Sequence, residues 1–276
     1  MAGLSMSWAR IMAPLAGGDA DAGVLASAAA VAQAFDAELA AVYAPADVAD
    51  LMPWMGEGFM GGVQVTAVQS LKDAAAQGEQ AARAACEAVG YARKSFTALS
   101  SPVWSALSME GRLSDLVVFD DATAKGRGPL AESFQQIVAG EQRPTLVARA
   151  GLAVGGVVAV AWDGGKEASR AARTALPLLQ KAGKVVILAA PASSARYFDP
   201  GRLKQYFAER DIAAEVTMLS ESGDVAPILL RAATACEASI LVAGAFGHPR
   251  LQEYIFGGAT RAFLNAQGGP SLFLSH

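Results

Sequence analysis

Hydrophobic residues in this chain come in short unbroken runs set between longer helical patterns. Arg10–Leu15 (RIMAPL) leads through Ala-Gly-Gly-Asp into a helical pattern over Ala22–Ala34. Val157–Ala161 (VVAVA) leads through Trp-Asp-Gly-Gly into a second one over Glu167–Lys181. An offset of 146 residues aligns the two segments without a gap from Ile11/Val157 to Pro45/Pro191. Each copy then continues into a strand, Ala37–Tyr43 in the first and Lys184–Ala189 in the second. Ser114–Phe119 and Ser239–Ala243 are further, almost wholly apolar runs. Continuous runs of this kind fit strands buried on both faces of a parallel sheet. Each copy closes with a helix, a proline and a last strand, Pro144–Arg149 and Pro270–Ser275.

Strands alternating with helices predict an α/β chain of right-handed βαβ units. The expected fold is two tandem doubly wound parallel-sheet domains of five strands each, in the order 3-2-1-4-5. The domains are expected at 1–150 and 151–276, with Ala150–Gly155 as a short mobile joint. The last strands, Thr145–Arg149 and Ser271–Leu274, are apolar edges able to pair with each other inside one chain; further association into a homodimer stays open. The copies differ after their second strands. The first carries Leu51–Gly62 (LMPWMGEGFMGG) and a helix near Thr66–Tyr91, where the second has a shorter piece, Tyr197–Arg210. The Met- and aromatic-rich loop fits a contact surface or lid, or packing over its own sheet edge.

Composition narrows the classes. Residues of the AVILMFWYC set make up 53% and charged residues 17%, enough for a sizeable core and against disorder. The formal charge of −4, with no basic stripe, excludes nucleic acid and anionic lipid as expected partners. The longest apolar stretches, Gly151–Trp162 and Val185–Ala192, fall short of the about 20 residues needed to span a bilayer. Met1–Arg10 does not read as a signal peptide, so the cytoplasm is the expected location. Cys86 and Cys236 match no metal or redox spacing and read as small buried residues.

One constellation carries chemistry. After the run Ile240–Ala243 come Gly244-Ala-Phe-Gly247, nine residues, then Gly257-Gly258-Ala259-Thr260 and a helical stretch, Arg261–Ala266. A loop at the carboxyl end of a parallel strand lies where doubly wound sheets bind ligands. Glycines let the backbone approach phosphate oxygens, and consecutive N–H groups at a helix start form an anion site. Thr260 can add a hydroxyl. Asp163 follows the first strand of the same half, so it is expected to face the same crevice, where a carboxylate can accept from ribose hydroxyls or an adenine amino group. As a plain cap of the helix beginning near Lys166, it would have no such role.

Ile240-Leu-Val-Ala-Gly-Ala-Phe-Gly-His-Pro-Arg-Leu-Gln-Glu-Tyr-Ile-Phe-Gly-Gly-Ala-Thr-Arg resembles the nucleotide loop of universal stress proteins, G-x2-G-x9-G followed by Ser or Thr. Ala161-Trp-Asp-Gly-Gly-Lys-Glu-Ala-Ser-Arg-Ala and Gly223-Asp-Val-Ala-Pro-Ile-Leu resemble other parts of that family, and the whole chain is similar to its tandem bacterial form. The resemblance implies binding of ATP or AMP, with or without Mg²⁺. It implies that Asp163 meets adenine or ribose and Ala190 meets adenine through its backbone. It assigns Gly244, Gly247, Gly257, Gly258 and Ala259 to ribose and phosphates. Gly258 departs from the usual Ser or Thr, and Ser239 from a commonly acidic position.

The first half departs further. Asp120-Asp121 stand where the first loop glycine would be, Thr123 stands at the second, and Gly17 holds the position of Asp163, with Asp19 two residues on. Two carboxylates repel phosphate, so this half is expected to be a structural partner without nucleotide. Gly56–Gly61 spells GxGxxG but follows no strand and opens no immediate helix. His248 reads as an exposed turn residue, His276 as frayed or touching the last strand, and Arg250 and Arg261 as surface charges. With no poised nucleophile or acid–base pair, the leading expectation is a nucleotide-binding stress-response or regulatory protein with at most slow ATP hydrolysis. The alternatives are an adenine-nucleotide-dependent enzyme and a nucleotide-free interaction module.

Overall fold

The computed structural model describes residues 7–45, 62–99, 103–189, 199–219, 224–245 and 258–276. By internal contacts the chain divides into two compact units, Ala9–Ile137 and Val138–His276 with Met1–Trp8.

The first unit runs β1 (Arg10–Leu15), α1 (Asp21–Phe35), β2 (Glu38–Tyr43), α2 (Gly62–Ala88), β3 (Lys94–Ala98), α3 (Val103–Arg112), β4 (Leu116–Asp120), α4 (Asp121–Ala124) and α5 (Ala131–Gln135). Its strands lie in the order β3-β2-β1-β4, all parallel. β1 and β4 meet as Ile11↔Leu116 and Met12↔Val117. Ile11, Met12, Ala13 and Leu15 are fully buried, as a central strand covered on both faces requires. α5 passes into a π-turn, Gln136–Gly140, inside which the unit ends.

The second unit holds β5 (Thr145–Ala148), β6 (Val157–Trp162), α6 (Lys166–Thr174), α7 (Leu176–Lys181), β7 (Lys184–Ala189), α8 (Pro200–Ala208), β8 (Ala214–Met218), α9 (Val225–Ala235), β9 (Ala238–Gly244), α10 (Gly258–Asn265) and β10 (Ser271–Ser275). Five of its strands follow the expected 3-2-1-4-5 order, β8-β7-β6-β9-β10, all parallel. β5 adds antiparallel to β10 through Leu272↔Val147 and Phe273↔Leu146. This pairing is why the last strand of the first repeat groups with the second unit. Trp8 joins it too, stacked on Phe273 with ring centroids 6.0 Å apart.

One expected element is divided. The pattern Glu167–Lys181 predicts a single helix, but it breaks at Ala175 into α6 and α7. Pro177 sits in the first turn of α7, where its missing N–H leaves no intrahelical bond unmade.

Candidate functional site

The end of β6 builds the first part of the site. β6 and β9 pair in parallel up to Val160↔Val242, and they end at Trp162 and Gly244. The parallel register therefore brings Asp163 and Gly244 to the same carboxyl edge of the sheet, as the switch-point rule expects. Trp162 is buried, whereas Asp163 is exposed. Asp163 Oδ1 accepts from the Gly165 N–H at 2.8 Å across Gly164, which lies at φ +76°. The bond closes a turn ahead of α6; the helix cap itself is Gly165, without a side-chain cap bond. Asp163 thus stiffens its own turn and still presents its carboxylate to solvent.

Gly244 ends β9 for a packing reason. A Cβ there would lie 2.6 Å from the Glu167 carbonyl carbon and 2.7 Å from the Ala168 nitrogen. Strand end and helix start touch backbone to backbone, so only glycine fits. The base of the following loop is tied to the chain's last strand. The Ala245 N–H donates to the Ser275 carbonyl at 2.9 Å, and His276 Nδ1 lies 2.8 Å from the Ala245 carbonyl. His276 contacts the base of the loop, which its terminal position alone did not reveal.

Of the other expected contacts, Ala190, Gly247 and Gly257 lie outside the described residues, as do His248, Arg250 and the loop through Gly61. Gly258 and Ala259 form the exposed first turn of α10, and no atom of the described residues stands within 4 Å of a Cβ built on Gly258. The first N–H groups of a helix have no intrahelical acceptor, so this turn offers donors outward. Thr260 differs from its neighbours: at 3% exposure it faces the interior and anchors the turn.

Two features escaped the sequence reading. Glu167 Oε1 is buried and accepts no hydrogen bond among the described residues, although Lys166 Nζ stands 3.3 Å away as an ion pair. The 146-residue offset that aligns the halves places Glu167 against Asp21, the one signal that would have marked it. The second is a groove of about 400 Å³ between α6 and α8, lined by Trp162, Ser169, Arg173, Arg202, Leu203 and Tyr206. Its residues are scattered in sequence, so no motif announces it.

The matching crevice of the first unit is built differently. Asp21, 2% exposed, accepts from the N–H groups of Ala16 at 2.9 Å and Gly17 at 2.8 Å. Burial lifts its carboxyl above the ordinary value of 3.8; those amides and that of Gly18 pull it down, and the Asp120 charge adds to the rise. Asp120 itself accepts from Thr123 N at 2.6 Å and from the Thr123 hydroxyl at 3.0 Å, starting the short α4 where the second half has its loop. α2 lies across the turn. A Cβ on Gly17 (φ +76°) would come within 2.5 Å of Gly78 Cα, and one on Gly78 would run into the Tyr43 hydroxyl, which donates to the Ala75 carbonyl at 3.0 Å.

Among the described residues no helix is long and apolar enough to cross a membrane, and no three His, Cys, Asp or Glu side chains gather as a metal site. No protein-family profile and no curated protein matches the sequence. Solved structures do. The chain is similar over 96% of its length, and 95% of the other chain, to a universal stress protein from Archaeoglobus fulgidus DSM 4304, at 13% identity and a TM-score of 0.60. It is similar over 97%, and 93% of the other chain, to a proposed universal stress protein from Pseudomonas aeruginosa UCBPP-PA14, at 16% identity and a TM-score of 0.55. The cytoplasmic domain of a prokaryotic cation chloride cotransporter matches over 97%, and 95% of that domain, at 11% identity and a TM-score of 0.50. These likenesses are of fold and run through both halves: the chain is a two-domain protein of universal stress protein-like fold.

Proposed function

We propose that this is an adenine-nucleotide-binding protein of stress-response or regulatory type, with one ATP or AMP held by residues 151–276 and none by the first half. The observation that supports the reading is the parallel pairing of β6 and β9, whose ends at Trp162 and Gly244 leave the exposed Asp163 and the start of the glycine loop at one edge of the sheet. The residues present fit such a ligand. Asp163 is exposed and keeps acceptor capacity beyond its bond to Gly165. Gly258 and Ala259 are exposed at a helix start, where the first backbone N–H groups have no intrahelical acceptor.

In this reading Asp163 accepts from ribose hydroxyls or the adenine amino group, and the Ala190 backbone borders the base. The amides of Gly244, Gly247, Gly257, Gly258, Ala259 and Thr260 line ribose and phosphates. A bound nucleotide supplies a triphosphate or monophosphate whose charge those amides neutralise, and Mg²⁺ can accompany it. No nucleophile or acid–base pair accompanies the loop among the described residues, so hydrolysis stays below about 1 s⁻¹, the low end for enzymes. The expected location is the cytoplasm. The β5–β10 pairing supports an arrangement in which the two repeats associate through their last strands; a homodimer of whole chains is a further option.

The test is mass spectrometry of ligand released from purified protein, followed by calorimetric titration of stripped protein with ATP and AMP. One nucleotide per chain is expected. No released nucleotide, and no heat at about 1 mM ligand, where even 4 kcal/mol of affinity registers, overturns the reading in favour of the interaction module.

A further inference from the structure

Arg149 closes the last strand of the first repeat, and its guanidinium reaches into the second. Nη2 donates to the carbonyls of Phe263 at 2.9 Å and Leu264 at 3.2 Å. Nη1 donates to those of Pro270 at 3.2 Å and Gly268 at 3.4 Å. The Arg149 N–H donates to Ser271 Oγ at 3.0 Å. Phe263 and Leu264 belong to the last turn of α10, whose carbonyls have no intrahelical donor. Gly268 and Gly269, at φ +72° and +88°, form the turn into β10. A planar fork is the group able to hold two diverging pairs of carbonyls at once.

We infer that Arg149 is a positioning residue for the nucleotide site: it fixes the far end of the helix whose first turn meets the phosphates, an inference that rests on the function proposed above. α10 has eight residues, about 12 Å from end to end. Its inner side is held by buried Thr260, Phe263 and Leu264, while Gly258 and Ala259 stand exposed at its start. A lever of that length turns a tilt of about 10° at the clamped end into a shift of about 2 Å at the first amides. Shifts of that size decide whether an N–H still reaches its acceptor. The clamp runs one way only. Counting from the prolines that open the two last strands, the residue matching Arg149 is Ser275, too short to reach a helix end in the same manner. In the half expected to hold nucleotide, the loop helix is thus secured by a guanidinium from the other repeat.

The experiment uses the full chain with Arg149→Met, which keeps the length but none of the donors, and Arg149→Lys, which keeps the charge without the fork. ATP and adenosine are titrated by calorimetry, and amide hydrogen exchange is followed over residues 258–265. Adenosine makes no phosphate contact, so it reports on the rest of the site. In R149M the ATP affinity is expected to fall about tenfold, about 1.4 kcal/mol, with adenosine changed less than about twofold and exchange accelerated in α10 but not in β6 or β7. R149K is expected to fall between; should R149M fail to fold, it carries the same comparison. An unchanged ratio of ATP to adenosine affinity, whether both hold or both fall, overturns the inference while leaving the nucleotide reading intact. A wild-type chain that binds neither ligand overturns both.

Discussion

The two turns that follow β1 and β6 begin from the same plan and end in opposite states. In the first unit a helix carboxylate, Asp21, folds back onto the amides of Ala16 and Gly17 and satisfies them from inside. In the second, Asp163 bonds Gly165 from within the turn and stays exposed, while Glu167, at the position of Asp21, pairs with Lys166. The first turn is then closed by α2, through the close approach of Gly17 and Gly78, whereas a groove stays open between α6 and α8. In the first turn the chain supplies its own acceptor and its own cover.

The sharpest way to break this comparison is Gly17→Ala. The new Cβ meets Gly78 Cα at 2.5 Å with the backbone at φ +76°, so a loss of about 3 kcal/mol is expected from overpacking and strain together. Urea unfolding measures it; a loss below about 0.5 kcal/mol, typical of surface sites, would mean the first crevice is not sealed. Gly244→Ala tests the same kind of contact in the second half. Its Cβ meets Glu167 and Ala168 backbone at ordinary φ, so about 2 kcal/mol is expected.

Asp163→Ala separates binding from folding. Nucleotide affinity is expected to fall about tenfold with the loss of a charged acceptor. Stability, read from thermal unfolding without ligand, should drop by about 1 kcal/mol or less, the worth of the turn bond to Gly165. Equal affinity in the two proteins would remove Asp163 from the site. In the first half the parallel test is stoichiometric: one nucleotide per chain, with no second site appearing when Asp163 is replaced.

The smallest effect concerns pH. Burial raises the Asp21 carboxyl in the folded protein, so the folded state holds its proton more tightly than the unfolded one. Its contribution is fully present below the unfolded value near 3.8 and is lost as pH rises through the raised folded value. One proton bounds the slope at about 1.4 kcal/mol per pH unit. Asp21→Asn removes this term, and the stability difference from wild type should narrow as pH falls through that window. A difference that does not vary with pH would show that Asp21 titrates alike in both states.

Much of this architecture is legible in the chain itself. Unbroken apolar runs such as VVAVA fit strands covered on both faces, and their alternation with helices points to a doubly wound parallel sheet. The spacing of Gly244, Gly247 and Gly257, and the carboxylate after the first strand of that half, are local signals that need no coordinates. Asp120 and Asp121 likewise told that the first half departs from the pattern. Folding contributed what pairs residues far apart in sequence. Glu167 facing Gly244, Gly78 pressed on Gly17, the groove between α6 and α8, and Arg149 clamping the end of α10 all depend on how helices lie on a finished sheet. Periodicity records which face of an element is buried, because burial is a property of each residue. It holds no record of which backbone will come to lie against it, because that is settled by packing among elements that meet only in three dimensions.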